Sequence, residues 1–142
     1  MKAVYFDEHG GPEVLKYGDL PDPIAGEGEV VADIHAASIN GADWKVRAGS
    51  YAPVAYFPYV CGRDFSGVVT EVGSGSDFEV GDEVFGVLPV GQEGTYCEQV
   101  ATKASVLAKK PGDVSHMDID ALSLIGLTAV ISIEDTLKLQ PG

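Results

Sequence analysis

His9, His35, His116, Cys61 and Cys97 carry the donor atoms a transition metal prefers, yet their spacing does not assemble them. A catalytic zinc needs three protein ligands converging on one point, and no histidine here stands at a paired interval from either cysteine. A structural site of four cysteines is impossible with two. Cys97 follows Cys61 by 36 positions without a C-x-x-C motif. That pattern fits small apolar side chains in a reducing compartment and supplies no disulfide framework.

Phosphate binding is the second chemistry to test. A G-x-G-x-x-G loop uses its glycines for a tight turn, for close approach of a pyrophosphate and for helix packing. The nearest match is Gly73-Ser74-Gly75-Ser76-Asp77-Phe78, where Phe78 replaces the third glycine and Asp77 adds a repelling charge. It reads as a hairpin loop. What remains is a short polar run from Asn40 to Gly49, bearing an amide, a carboxylate, an ammonium and a guanidinium at Asn40, Asp43, Lys45 and Arg47.

The elements that must position these groups are mostly strands. Short β-rich segments recur between Gly, Pro and Asp at 2–6, 13–18, 29–39, 66–72, 83–88, 94–101 and 105–109, which predicts a barrel or sandwich. In the longest, the period of two puts Val30, Ala32, Ile34 and Ala36 on one face, with Asp33 and His35 on the other. Asn40 as N-cap, Asp43 at the capping-box position and Gly49 at the end predict one short helix. Ser115 and Asp118 open a second helical pattern through Ile119, Leu122 and Ile125, and another follows with Leu127, Val130 and Ile131. The ending, Leu137 to Gly142, reads as a turn after a helix.

Composition narrows the partners. The chain has 142 residues, 45% of them hydrophobic, and a net charge of −13. That field repels phosphate backbones and anionic membrane surfaces, so neither nucleic acid nor a membrane is an expected partner. No segment is expected to approach the roughly 20 apolar residues of a membrane span, and the N-terminus shows no signal-peptide pattern. A cytoplasmic protein is the simplest expectation.

Several stretches, taken in order, resemble the medium-chain dehydrogenase/reductase superfamily, and within it the zinc-independent quinone oxidoreductase branch. They are Gly11-Pro12-Glu13-Val14-Leu15, the run Ala37 to Tyr51, Cys61-Gly62-Arg63-Asp64-Phe65-Ser66-Gly67-Val68-Val69, Val80 to Gly86, Gly94-Thr95-Tyr96-Cys97-Glu98 and Gly126-Leu127-Thr128-Ala129. The resemblance implies a mainly β fold with short helices, a GroES-like partly open β-barrel. Residues 1–124 would form the catalytic-side domain, and 125–142 the start of an interdomain helix leading to a dinucleotide-binding domain beyond this chain.

The resemblance also implies chemistry. Zinc-dependent relatives have Cys where this chain has Asn40, and Gly-His-Glu where it has Gly62-Arg63-Asp64, so no zinc is expected here. The implied reaction is metal-free hydride transfer to a quinone or α,β-unsaturated carbonyl, with NADPH as cofactor and NADH possible. Asn40, Lys45 and Tyr51 are the expected catalytic residues: Asn40 and Lys45 as donors to the carbonyl oxygen, Tyr51 as a ring stacked on a flat substrate. Lys45 and Thr128 are expected to meet the nicotinamide half of the cofactor. The full-length protein is expected to be a homodimer, and this chain alone to be inactive. A non-catalytic GroES-like module that binds a partner through barrel edges is the other reading left open.

Overall fold

A computed structural model describes residues 1–51, 54–89, 91–92 and 94–139. Among the described residues, eight strands form two antiparallel sheets. β1 (Lys2–Phe6), β2 (Lys16–Asp19) and β4 (Tyr59–Val60) make a small sheet in the order β2-β1-β4. The larger sheet runs β7-β3-β5-β6-β8, from β3 (Glu29–Ala36), β5 (Asp64–Val72), β6 (Glu83–Val87), β7 (Gln99–Lys103) and β8 (Leu107–Lys109). Both sheets are open, in keeping with the expected partly open, mainly β architecture.

Alternation along β3 builds the main core. Val30 and Ala32 are fully buried with Phe65, Val69, Val84 and Leu88, and Ile34 packs against them. Ala36 leaves this face because the register of β3 against β5 shifts between Ile34 and Ala36. On the other face Asp33 accepts a hydrogen bond from Gln99 Nε2 at 2.7 Å. His35 is exposed, its ring 4.5 Å from that of His116. Gly73, which leads from β5 toward β6, has to be glycine, since a Cβ there would lie 1.8 Å from the carbonyl oxygen of Gly26.

Where strand boundaries differ from expectation, competing hydrogen bonds explain them. Pro12–Val14 turn as a 3-10 helix, so the strand expected at 13–18 begins at Lys16. The strand expected over 94–101 begins at Gln99, because the Gly94 and Thr95 amides donate to the Gly62 carbonyl. Tyr96 to Glu98 instead continue, along Lys2 to Val4, the edge of β1 that β4 pairs at Tyr5 and Phe6: Val4 N donates to Tyr96 O, Glu98 N to Lys2 O, and Ala3 bridges Cys97. The two sheets are thereby stitched together. β4 was not expected, being only two residues in a run rich in Tyr and Pro.

Helix α1 spans Gly41–Arg47 with Asn40 as its N-cap, and α2 spans His116–Val130 and continues into a π-helical turn at Ile131–Thr136. Asp118 N donates to Ser115 Oγ at 3.1 Å, the predicted cap. The two helical patterns expected after Ser115 are one continuous helix, running unbroken across residues 124 and 125. It buries Asp120 and Ser123 against the larger sheet, while Leu122 and Ile125 are 61% and 68% exposed. The run His116–Thr136 is 21 residues long and apolar enough, by length and composition, to cross a membrane. That corrects the expectation that no segment approaches such a span; the estimate from unbroken apolar runs overlooked a helix whose acids are scattered. Residues 140–142 of the expected terminal turn lie outside the described residues.

Candidate active site

Three carboxylates gather where α1 and α2 meet the sheets, and each is buried: Asp43, Asp64 and Asp120 are 5%, 1% and 3% exposed. Burying a carboxylate is costly unless hydrogen bonds replace its water. Asp64, at the start of β5, accepts from Ser38 Oγ at 2.7 Å and from Asn40 Nδ2 at 2.9 Å. Asn40 Nδ2 also donates to Ser38 Oγ at 3.1 Å. Asp43, in the first turn of α1, accepts from the Asn40 backbone N–H at 2.7 Å and from the Tyr96 hydroxyl at 2.6 Å. The end of β3 stops short of 39 because Ser38 turns toward Asp64.

Asn40 is therefore the hinge of the network. Its backbone starts α1 and its amide fastens the helix entrance to β5. Both jobs follow from one residue whose side chain donates while its own N–H needs an acceptor. Beneath it, Gly62 has φ of 97°, and a Cβ there would lie 2.2 Å from Thr95 Oγ1. Only glycine lets the Cys61-Gly62 backbone pass this close to the 94–96 segment.

Asp120 differs from the other two. Among the described residues its Oδ1 has no hydrogen-bond partner, and burial, reinforced by the negative charge of Asp64, pushes its pKa up to about 6. It can hold a proton close to neutral pH. Asp43 also holds the Tyr96 phenol protonated: burial and that hydrogen bond raise the phenol above its ordinary value. His116 goes the other way. Its Nδ1 meets Ser66 Oγ at 2.7 Å, its Nε2 lies 3.3 Å from Glu83, and burial lowers its pKa, with His35 adding to the effect.

The expected site residues do not share one environment. Asn40 is half-buried in the network, with its amide hydrogens on Ser38 and Asp64. Lys45 and Tyr51 are exposed, and the Lys45 ammonium lies 5.7 Å from the Trp44 ring centroid. Thr128 is exposed in the later turns of α2, and its hydroxyl donates to the Leu124 carbonyl at 2.8 Å. It stands well inside a helix that begins at His116, not at a helix start. Sequence reasoning missed Asp64, Tyr96 and Asp120 as members of the site. Asp120 carries no sequence signal, since an acid in a helix is ordinarily solvated.

The donor set also bears on metal. At the two positions from which the resemblance implies no zinc, the Asn40 amide nitrogen is committed to Ser38 and Asp64, and Arg63 donates from Nη2 to the Leu88 carbonyl at 2.8 Å. Neither group is a normal zinc ligand. Among the described residues, no three His, Cys, Asp or Glu side chains group so as to hold a metal ion. Cys61 is buried, and burial pushes the Cys97 thiol up to about 11, so Cys97 is not poised as a thiolate.

Residues 26–114 match the model of the alcohol dehydrogenase GroES-like domain. A chloroplastic quinone oxidoreductase of Triphysaria versicolor is 31% identical over 137 residues, which cover 94% of this chain and 42% of that protein. The quinone oxidoreductase of Coxiella burnetii superposes with a TM-score of 0.91 at 34% identity, over 100% of this chain and 46% of that one. The Escherichia coli quinone oxidoreductase, solved with NADPH, gives 0.91 at 30% identity, over 99% of this chain and 43% of its own. The chain thus spans less than half the length of these relatives. The chloroplastic relative means that the comparisons do not support the expected cytoplasmic location.

Proposed function

Because the chain belongs to the alcohol dehydrogenase GroES-like domain family, we propose that it forms the substrate side of an NAD(P)H-dependent oxidoreductase that reduces quinones or α,β-unsaturated carbonyls without a metal. The observation that carries this reading is the replacement chemistry at Asn40 and Arg63. An amide and a guanidinium, each hydrogen-bonded to its neighbours, occupy the two positions where the resemblance would put zinc ligands in a metal-dependent relative.

The nicotinamide would supply the hydride. Lys45 and Thr128 fit contacts to it: both are exposed, one offers an ammonium, and the other has oxygen lone pairs left after donating to Leu124. Hydride addition to the β-carbon of an enone places negative charge on its carbonyl oxygen. A cation or amide N–H aimed at that oxygen lowers the barrier. Lys45 offers such a cation from the surface of α1. Asn40 can contribute a hydrogen only by exchanging its bond to Ser38 or Asp64, which ties its action to those two residues. The Tyr51 ring, 54% exposed, offers a flat face to a quinone.

NADPH as cofactor with NADH possible, a homodimeric whole protein and inactivity of residues 1–142 alone belong to the same proposal. The test is oxidation of NADPH and NADH by the natural gene product, with a benzoquinone and an alkenal as acceptors and with metal analysis of the untreated protein. Turnover of either acceptor without stoichiometric zinc supports the reading. Oxidation of simple alcohols that depends on one zinc per chain would overturn it.

A further inference from the structure

A cavity of about 440 Å³ opens beside α1, on the side of the β1-β2 sheet, with walls from Val4, Leu15, Ala37, Ile39 and Trp44. Lys45, Tyr51 and Thr128 do not line it. It falls in the size range of small-molecule sites, which are mostly apolar with a few polar groups that fix orientation. Two charged side chains reach it, Asp43 and Arg47. The Asp43 carboxylate is satisfied by Asn40 N–H and Tyr96 O–H. Arg47 is half-buried, and among the described residues its guanidinium donates only from Nε, 3.4 Å from the Gly10 carbonyl oxygen.

Acids outnumber bases 22 to 9. Lys2, Lys16, Lys103, Lys109 and Lys110 each pair with a carboxylate, at Asp19, Asp7, Glu29, Asp82 and Glu83 respectively. Among the described residues, Lys45, Arg47, Arg63 and Lys138 show no carboxylate partner, and of these four Arg47 alone lines this apolar cavity. A guanidinium presents paired N–H donors matched to a carboxylate, and it is less strongly hydrated than an ammonium.

We infer that this cavity binds a small apolar carboxylate, its hydrocarbon against Leu15, Ile39 and Trp44 and its carboxylate on the Nη amines of Arg47. The chemistry excludes an apolar cation, which would meet the guanidinium and lose its hydration without compensation. The inference stands apart from the oxidoreductase reading, because it uses neither the nicotinamide nor the proposed catalytic residues.

Trp44 is the single tryptophan of the chain, so its fluorescence reports occupancy directly. Octanoate titrated into residues 1–142, without nicotinamide, is expected to give a saturable change, matched by heat in calorimetry. Octylamine should give none. Arg47→Gln should weaken octanoate at least tenfold. Ile39→Asp, which alters a residue 86% exposed, should do the same by placing an anion at the mouth without disturbing the core. Circular dichroism identifies any variant that fails to fold, and Ile39→Asp decides if Arg47→Gln is lost. The inference is overturned by no saturable signal, by equal binding of octylamine, or by undiminished octanoate binding in folded variants. A dimer seen by sizing that octanoate merely disperses would also overturn it, since the groove would then be a contact between copies.

Discussion

The Tyr96 hydroxyl donates to the buried carboxylate of Asp43 across 2.6 Å and 53 positions of sequence, tying the first turn of α1 to the segment that closes β1. The same carboxylate oxygen accepts from the Asn40 backbone. Removing the phenol would leave a buried charge with one donor fewer. Tyr96→Phe is therefore expected to destabilise the chain by about 1.5 to 3 kcal/mol, the range for hydrogen bonds to charged groups. Urea unfolding followed by Trp44 fluorescence measures it.

Gly62→Ala should cost more than about 2 kcal/mol. The φ of 97° is strained for any side chain, and the new Cβ would meet Thr95 Oγ1 and the Tyr96 ring. Gly112→Ala, which has open space, is the control, and thermal melts of the two variants should differ clearly.

Asp120 sets a pH dependence whose sign follows from its raised pKa. The folded chain holds this proton up to about pH 6, whereas an unfolded aspartate releases it near 3.8. Between those values the native state binds more protons, so this group makes stability fall as pH rises, with the penalty complete above about pH 6. Asp120→Asn should remove the penalty and stabilise the chain at pH 7 by about 1 to 3 kcal/mol, with no gain at pH 3.5. Unfolding curves across that range decide it. His116, lowered by burial, tilts the other way: its contribution is present above its ordinary value near 6.5 and is lost as pH falls through its lowered folded value. His116→Gln isolates that limb.

If the proposed oxidoreductase reading holds, Lys45→Met and Asn40→Ala in the full-length protein should each lower the rate of enone reduction by about 10²-fold, the usual loss when one donor to a developing oxyanion is removed. Lys45 is exposed, so its variant should melt normally. Asn40→Ala should also lose about 1 kcal/mol of stability from the cap. Steady-state rates beside melting curves separate the effects, and wild-type rates in both folded variants would remove these residues from the mechanism.

Much of the fold could be read from local pattern. The period of two exposed the Val30 and Ala32 face, and Asn40 with Asp43 announced α1, because both signals are set within a few residues. The network could not be read that way. Asp64 and Asp120 are brought together by the packing of α2 on β5, and Tyr96 reaches Asp43 only because the 94–98 segment leaves its sheet to line β1. The helix was misjudged for a related reason. An apolar stripe through Leu122 and Ile125 predicts a buried face, but here that stripe points outward and the polar residues Asp120 and Ser123 face the sheet. Periodicity identifies a face without saying which side has a partner.

The stitching of β1 has a consequence for the order in which the protein can form. β1 leaves the ribosome before the segments that pair with it, and it can pair with β2 through a nearby turn as soon as β2 follows. Its other edge is completed by Tyr59–Val60 and then by Tyr96 to Glu98, which emerge several seconds later at ordinary synthesis rates of about 5 to 20 residues per second. During that interval the nascent chain presents an open strand edge, the kind of surface on which chaperones act. Synonymous codons that slow translation between residues 60 and 98 should prolong that exposure and lower the soluble yield without changing a single amino acid.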